Sequence, residues 1–368
     1  MKKLFEDELV KMNMEYVKMF SSKLEMGIYI YDNKYQPSLY ELRLKKLGFQ
    51  NVKTIKSIND VDTKTIKNAS LVVIGLKDRD YIDYIIKFIN LGMLWENTFA
   101  KKDIDYFIKC VTNKGAKIDD LDYFISINDA IIKENYNKLK ENETLIAEIY
   151  NKLFEDDSKK VFLRTILKTL VDCPSYLDIY SPNQYLCDFV PFGDDEIIVD
   201  AGAYDGDTIK QFAEKNPNFT YIYAFEPDSE IFFKLVENTK HYNNIDYFSV
   251  GLSDKSGNYK FCVLEYGAST FCNSHNQQNT NKLAIPGDLL EIKPTFIKMD
   301  IEGFELNALK GFQNTIKRFT PKLAICVYHK FEDIFEIPLF INSINPSYKL
   351  YLRHHSFNSS ETVLYAIP

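Results

Sequence analysis

The stretch Ile197–Thr208 reads I-I-V-D-A-G-A-Y-D-G-D-T and decides the fold of the part of the chain around it. Three apolar, β-forming residues run directly into an acid and a glycine, which is typical of a buried strand that ends in a tight turn. Gly202 and Gly206 free the backbone of the turn from Cβ clashes and let it approach a ligand closely. Asp207 and Thr208 then open a helical stretch, so the segment predicts a strand, a glycine turn and a helix.

A second apolar run, Tyr221–Phe225, ends in Glu226 and Pro227, about 24 residues after Gly202. In a βαβ unit that binds a nucleotide, an acid at the tip of the second strand accepts hydrogen bonds from ribose hydroxyls. The turn and this acid together therefore predict a nucleotide-type site. The alternative is a glycine turn that only connects a strand to a helix, and the placement of Glu226 argues against it.

The residues of the turn also indicate what kind of nucleotide it binds. A dinucleotide site uses G-x-G-x-x-G, whose middle glycine lets the backbone meet a pyrophosphate, and Tyr204 stands at that position here. Asp200, Asp205 and Asp207 surround the turn with negative charge, which disfavours a polyphosphate. S-adenosylmethionine carries a sulfonium, an ammonium and an adenosine, so it fits an acidic turn and is the predicted cofactor.

Composition places the chain among ordinary globular proteins and excludes several functional classes. A length of 368 residues is typical of two to three domains. A net charge of −7 and a pI near 5.5 lack the basic footprint of a nucleic-acid-binding protein. No apolar run reaches the length of a membrane span, and Met1–Lys11 lacks the apolar core of a signal peptide. The six cysteines are scattered without a C-x-x-C pair, so we expect reduced thiols and a cytoplasmic protein.

Hydrophobic patterns divide the chain into four predicted segments. Residues 1–24 form an amphipathic helix, and residues 25–125 alternate strands and helices as in a small Rossmann-like α/β domain. Residues 126–175 are a helical connector, and residues 176–368 form the largest domain. The turn Tyr31–Lys34 after the first strand has no glycine, so we expect no nucleotide in the small domain.

The last segment continues the alternation of strands and helices. Further strands are predicted at Ile245–Val250, Thr295–Met299 and Lys322–Tyr328, and Tyr348–Arg353 pairs with Thr362–Ala366 in a terminal antiparallel hairpin. Five β/α units closed by a hairpin is the layout of a class I methyltransferase, a Rossmann-like α/β fold. In such a sheet the ligand lies beyond the carboxyl ends of the strands, at the switch point of the strand order.

Several motifs resemble the FkbM family of S-adenosylmethionine-dependent methyltransferases. They are V-D-A-G-A-Y-D-G-D-T at Val199–Thr208, A-F-E-P at Ala224–Pro227, K-M-D-I-E-G-F-E-L-N-A-L-K-G at Lys298–Gly311, P-K-L-A-I-C-V-Y-H-K at Pro321–Lys330, and the C-terminal L-R-H-H-S and E-T-V-L-Y-A-I-P. The resemblance covers roughly residues 175–368, and the segment Asp157–Lys160 resembles the longer bacterial members with an N-terminal α/β domain. It implies O-methylation of a sugar or other small molecule, in pathways for antibiotics, capsules or glycans.

Each part of the cofactor has candidate partners. Asp200 or Asp205 pairs with the ammonium, Glu226 accepts both ribose hydroxyls, and Thr208 at a helix N-terminus binds the carboxylate. Ser253 and Asp254 border the adenine, while Gln184 and Tyr185 close the pocket or only pack beside it. The predicted cofactor-binding residues are Asp200, Gly202, Tyr204, Asp205, Gly206, Asp207, Thr208, Glu226, Pro227, Ser253, Asp254, Gln184, Tyr185 and Asp300.

Three side chains at strand ends are the candidates for catalysis: His329, Asp300 and Glu302. A hydroxyl acceptor must lose a proton during methyl transfer, and His329 is the first choice of base because a histidine titrates nearest neutral pH. The alternative is a structural histidine. Glu302 is expected to open a helix, Glu302–Lys317, with Glu305 facing solvent. The three groups can make a carboxylate–imidazole metal site, but nothing in their spacing requires one, so no metal is predicted.

Arg353, His354 and His355 are expected on a solvated hairpin, with the binding of an anionic substrate as the alternative. For the whole chain, the leading prediction is an enzyme acting on a small-molecule or glycan acceptor, without a nucleic-acid partner or a membrane span. One alternative is a non-catalytic scaffold that keeps the cofactor fold. Another is an enzyme on a different nucleotide, such as an NAD-linked sugar oxidoreductase, against which the missing middle glycine argues.

Overall fold

A computed structural model of the chain resolves into two compact units. One comprises Met1–Glu141, Leu163–Tyr180 and Ser356–Ser359, and the other comprises Asn142–Phe162, Ser181–His355 and Ser360–Pro368. The turn Tyr31–Lys34 lies mostly outside the residues that the structure describes. These are residues 2–21, 27–31, 44–45, 52–55, 69–73, 98–100, 130–170, 176–263, 269–271, 280–356 and 359–368.

The first unit contains a four-stranded parallel sheet and a long N-terminal helix, Lys2–Ser21. The strands are β1 (Gly27–Tyr31), β2 (Val52–Ile55), β3 (Ala69–Val73) and β4 (Thr98–Ala100), in the order β2-β1-β3-β4. Parallel pairing needs crossover connections, which agrees with the alternating pattern of this part of the sequence.

A buried ion-pair network holds the N-terminal helix within this unit. Arg164 is 1% exposed and lies 2.8 Å from Glu8, 2.7 Å from Glu15 and 2.5 Å from Asp178. Lys168 adds a 2.8 Å contact to the same Asp178. Burial opposes the charge of Arg164, but the three carboxylates more than offset it, so the pKa of Arg164 lies above its ordinary value.

The second unit contains a seven-stranded mixed sheet with the class I methyltransferase order. Its strands are β5 (Ile197–Ala201), β6 (Tyr221–Phe225), β7 (Ile245–Phe248), β12 (Phe296–Met299), β13 (Lys322–Cys326), β14 (Lys349–His354) and β15 (Thr362–Ile367). They follow the order β14-β15-β13-β12-β5-β6-β7, where the five from β13 to β7 are parallel and the terminal pair is antiparallel. The predicted fold class and terminal hairpin are thus confirmed for this unit.

Helices accompany the strands, as the nearly continuous burial of β12 and β13 requires, because a strand covered on both faces has no side that faces solvent. All four residues of β12 are buried. The helices that lie wholly in this unit are Glu143–Lys152, Asp207–Lys215, Ser229–Thr239, Glu305–Gly311, Gln313–Phe319 and Asp333–Ile344. The helix Asp156–Leu170 begins in this unit and ends in the first, and Ala130–Glu141 belongs to the first unit. Within the described part of the chain, no helix has the length and apolarity needed to cross a membrane.

A small second sheet is inserted between β7 and β12. It consists of β8 (Gly251–Leu252), β9 (Gly257–Val263), β10 (Ser269–Phe271) and β11 (Thr280–Ile285), in the order β10-β9-β11-β8. Cys262 on β9 is disulfide-bonded, so the expectation of reduced thiols throughout is wrong for this residue.

The expected course of the chain after Glu302 is wrong. The predicted helix Glu302–Lys317 is two short helices that begin at Glu305 and Gln313, and Glu302 lies before them in a turn. Its φ of 55°, followed by φ of 92° at Gly303, is a left-handed conformation that no helix accommodates.

The hairpin segment Arg353–His355 is packed rather than solvated. His354 is fully buried, and an Arg353 guanidinium nitrogen lies 2.5 Å from Glu155. Burial lowers the pKa of His355 to about 4, so this side chain is a neutral hydrogen-bonding group against Ser181 and Tyr365, at 2.7 and 2.8 Å.

Candidate functional site

A cavity of about 340 Å³ opens at the carboxyl ends of β5, β6 and β12. Of the predicted site residues, ten line it: Gln184, Tyr185, Gly202, Tyr204, Asp207, Thr208, Glu226, Pro227, Asp300 and Glu302. Six others lie outside the described lining: Asp200, Asp205, Gly206, Ser253, Asp254 and His329. The edge of the sheet chosen from the strand order is therefore the edge that carries the cavity.

The glycine turn is locked between β6 and β12. Gly202 has a φ of 75°, and a Cβ there would lie 1.8 Å from the carbonyl oxygen of Asp300. The amides of Gly202 and Ala203 both donate to the carbonyl of Phe225 at 3.0 Å. Gly206 has a φ of 89°, and its Cβ would lie 2.4 Å from the side chain of Thr239. Both positions need glycine because the backbone angle and the close neighbour each exclude a side chain.

Glu226 follows the last residue of β6 and is 7% exposed. Its Oε2 accepts from the amide of Tyr204 at 3.2 Å, and its Oε1 accepts from the amide of Asp228 at 2.8 Å. These bonds orient the carboxylate beside the glycine turn and leave lone pairs on both oxygens for a ligand. Burial is the main reason that the pKa of Glu226 is raised to about 7.

Asp200 faces a lysine that sequence reasoning missed. Lys298 on β12 stands opposite Asp200 in the strand register, and its Nζ lies 2.9 Å from Oδ1. The same ammonium donates to the carbonyl of Gly202 at 2.6 Å. A lysine inside the apolar strand Phe296–Met299 was the available signal, because a buried lysine requires an acidic partner.

The beginning of the helix after the turn is internally hydrogen-bonded. The amide of Thr208 donates to Oδ1 of Asp207 at 2.7 Å, so a ligand carboxylate would compete with Asp207 for this donor. The carbonyl of Asp205 accepts from Asn238 at 2.9 Å, which fixes the outer part of the turn. Tyr204, with a φ of 47° and 47% exposed, stands at the mouth of the cavity.

The far wall of the cavity is apolar and comes from the inserted sheet. Gly251, Leu252, Phe261 and Phe271 of this sheet line it, together with Val250, which directly precedes β8. Such a surface suits the flat face of a purine. The predicted neighbours Ser253 and Asp254 lie just beyond: Ser253 is fully buried, and its Oγ is 3.1 Å both from Oδ1 of Asp254 and from the hydroxyl of Tyr259.

The opposite wall is acidic and tightly hydrogen-bonded. Oδ2 of Asp300 accepts from the hydroxyl of Tyr185 and Oδ1 from that of Tyr328, both at 3.2 Å. Gln184 donates to Oε2 of Glu361 at 2.5 Å, and the Tyr328 hydroxyl is 3.4 Å from Oε1 of the same carboxylate. Glu361 was not predicted, although it directly precedes β15, an antiparallel strand that begins at the edge where the parallel strands end.

His329 is surrounded by carboxylates behind this wall. Its Nε2 lies 3.3 Å from Glu302 and 3.5 Å from Asp300, and its Nδ1 lies 3.0 Å from Glu305. Burial by itself lowers the pKa of His329, but Glu302, Glu305 and Asp300 reverse this and raise it to about 11. In this arrangement the imidazole carries a proton at neutral pH, which argues against a role as general base.

Glu305, expected to face solvent, is fully buried and accepts from the amide of Ile301 at 2.9 Å. Asp300, Glu305 and His329 offer ligand atoms within 4.8 Å of one another, as do Asp300, Cys326 and Glu361. A proton on His329 offsets one of the two carboxylate charges in the first group.

Comparisons with known proteins agree with this architecture. Residues 200–355 match the family model described as "Methyltransferase FkbM domain". A curated relative, the hexuronic acid methyltransferase AglP of Haloferax volcanii, is 31% identical over 102 residues, which are 26% of this chain. The match spans 43% of that relative, less than half its length. The crystal structure of methyltransferase FkbM from Methylobacillus flagellatus KT aligns with a TM-score of 0.57 at 18% identity, over 98% of this chain and 99% of that one. At that identity the likeness shows the fold.

Proposed function

We propose that this chain, whose residues 200–355 carry a methyltransferase FkbM domain, transfers a methyl group from S-adenosylmethionine to a hydroxyl of a sugar or another small molecule. The observation that carries the proposal is the placement of Glu226 beside the turn of Gly202 in one cavity, between an apolar wall and an acidic one. The ribose needs an acceptor such as Glu226, the adenine needs an apolar wall, and the positively charged methionine half needs acidic surroundings.

We assign the cofactor contacts as follows. Glu226 accepts the ribose hydroxyls, because a carboxylate held by two amides is already oriented for two further donors. Leu252 and Phe261 contact the adenine. Asp207 lines the cavity and takes the ammonium, whereas Asp200 is neutralised by Lys298 and supports the turn from behind.

S-adenosylmethionine, when bound, supplies the methyl group as a sulfonium, and alignment with the acceptor oxygen provides much of the rate. The protein must then remove the hydroxyl proton of the acceptor. As the new C–O bond forms, that hydroxyl becomes strongly acidic, so a carboxylate is a sufficient base. We assign this role to Asp300, which lines the cavity and is oriented by Tyr185 and Tyr328. The cation His329 holds Glu302 in place beside it.

Titration calorimetry with S-adenosylhomocysteine and with NAD, followed by transfer of a labelled methyl group to a panel of simple glycosides, tests the proposal. We expect binding of S-adenosylhomocysteine, no binding of NAD, and label in at least one glycoside. Binding of NAD alone would indicate an oxidoreductase. Failure of both nucleotides to bind would favour a scaffold that keeps only the fold.

A further inference from the structure

The cavity has two chemically different halves. The half over β5 and β6 is formed by the glycine turn, Glu226 and the apolar wall, and the proposed function uses it for the cofactor. The half over β12 and the beginning of β15 is formed by Gln184, Tyr185, Asp300, Glu302 and Glu361. Under the proposed function, on which this inference rests, the second half receives the acceptor.

Negative charge dominates this second half. It presents the carboxylates of Asp300, Glu302 and Glu361. Among the described residues that line the cavity, Lys298 is the one basic side chain, and it is 2% exposed and paired with Asp200. His329 compensates Asp300 and Glu302 from behind, but it is shared with the buried Glu305.

Glu361 is built into the wall as a fixed acceptor of hydrogen bonds. One of its oxygens is held by Gln184 at 2.5 Å, and the other lies 3.4 Å from the hydroxyl of Tyr328, which also reaches Asp300. Its backbone has a φ of 68°, a left-handed conformation that this environment maintains. The carboxylate therefore meets a ligand with its orientation already set.

We propose that this half of the cavity selects an acceptor without an anionic group. It favours an acceptor that bears an amino group over a neutral polyol, and Glu361 contacts this amino group. A uronate or phosphate in this place would stand against the carboxylates of Asp300 and Glu302 and the ionised form of Glu361, and the described lining residues offer it no free cation. An ammonium would be attracted by the same groups, while the hydroxyls of a neutral sugar would donate to them.

The charge of Glu361 depends on what lies beside it. Burial, and next the charge of Asp300, raise the pKa of Glu361 to about 7. An ammonium beside this carboxylate would reverse that shift and favour its ionised form. A carboxylate ligand would raise the pKa of Glu361 further and favour its neutral form.

Three matched probes test the inference: the methyl α-glycosides of glucosamine, glucose and glucuronic acid, titrated into the enzyme saturated with S-adenosylhomocysteine at low ionic strength. We expect the amine to bind tightest and the acid weakest, with at least a tenfold difference between them. Glu361→Gln should reduce the ratio of amine to acid affinity by about tenfold, and Glu361→Lys should reverse the order. Glu230→Gln, on the exposed face of the helix Ser229–Thr239, is the control and should leave the ratio unchanged.

Each other outcome has a separate meaning. If glucuronide binds tightest while S-adenosylhomocysteine binds normally, the charge preference is overturned and the methyltransferase proposal stands. If none of the three binds to the cofactor-loaded enzyme, this half of the cavity is not a site for a sugar-like acceptor. If S-adenosylhomocysteine itself does not bind, the proposed function fails first. Unchanged affinity for S-adenosylhomocysteine in the Glu361 variants shows that they are folded.

Discussion

The Nζ of Lys298 lies 2.9 Å from Oδ1 of Asp200, and both side chains are withdrawn from solvent in the centre of the larger sheet. Burial raises the pKa of Asp200, and the Lys298 ammonium opposes that shift. Because the same ammonium also binds the carbonyl of Gly202, this pair connects the middle of β12 to the glycine turn. The pair therefore supports the geometry of the cofactor half of the cavity.

Replacing the lysine tests this support. Lys298→Met leaves Asp200 buried without a partner, so we expect the free energy of unfolding to fall by about 3–5 kcal/mol. The double variant with Asp200→Asn should recover part of the loss, since the uncompensated charge is gone. Urea unfolding measures both, with the exposed Lys310→Met as control. A single variant as stable as the wild type would show that the pair is not structural.

Glu226 gives the affinity for the cofactor a defined pH dependence. Its pKa near 7 means that the carboxylate of the free protein is largely protonated below that pH. Ribose hydroxyls bind the ionised form, so affinity for S-adenosylhomocysteine should rise with pH through about 7 and level off above it. Glu226→Gln should weaken binding at pH 8 by about 1.5–3 kcal/mol and remove the dependence. Calorimetry from pH 5.5 to 8.5 measures both effects; a variant that keeps the wild-type profile would contradict the assignment.

The glycine turn does not tolerate even a methyl group. In Gly202→Ala the new Cβ would lie 1.8 Å from a backbone oxygen that cannot rotate away, at a φ that already disfavours a side chain. We expect loss of S-adenosylhomocysteine binding and a lowered melting temperature. Gly257→Ala is the matched control, because its nearest neighbour would be 3.6 Å away, an ordinary contact. Equal behaviour of the two variants would disprove the steric argument.

His329 should keep its proton across the physiological range. With a pKa raised from 6.5 to about 11, the charged imidazole stabilises the fold fully below pH 6.5, and this contribution is lost as pH rises towards 11. Nitrogen chemical shifts of its ring should therefore not titrate between pH 5 and 9. The difference in unfolding free energy between wild type and His329→Gln should likewise be constant below pH 6.5 and shrink at alkaline pH. A ring that titrates near 6.5 would restore His329 as the candidate base.

Asp300 should matter for turnover more than for cofactor affinity. Asp300→Asn can accept from one tyrosine hydroxyl through its remaining oxygen and donate to the other through its amide nitrogen, so the side chain stays held between Tyr185 and Tyr328. It cannot accept the proton, so we expect turnover to fall by about 10²–10⁴-fold. Affinity for S-adenosylhomocysteine should change little. The rate of methyl transfer to a glycoside that the wild-type enzyme methylates measures this effect. Near-normal turnover would mean that Glu302 or water is the base instead.

The sequence alone was sufficient where the physical cause is local. An apolar run followed by Asp200 and Gly202 predicts a buried strand and a turn because each residue's own backbone preference and hydrophobicity determine it. The edge of the sheet that carries the cavity also follows, because all parallel strands in one sheet end on the same side. The helix predicted to begin at Glu302 is wrong because that prediction used only the spacing of apolar residues. This spacing does not show that the backbone is left-handed at Glu302 and Gly303.

Which charges meet was decided only by the tertiary structure. The pairing of Lys298 with Asp200 depends on the register of two strands that are about 100 residues apart in the chain. The three carboxylates around His329 come from the segment Asp300–Glu305, folded against the end of β13. A histidine in sequence has a pKa near 6.5, and only burial and neighbouring charge decide whether it becomes a base or a cation. Glu361 was not predicted for a similar reason. The antiparallel strand β15 brings it to the edge of the sheet that carries the cavity, and its position in the chain does not show this.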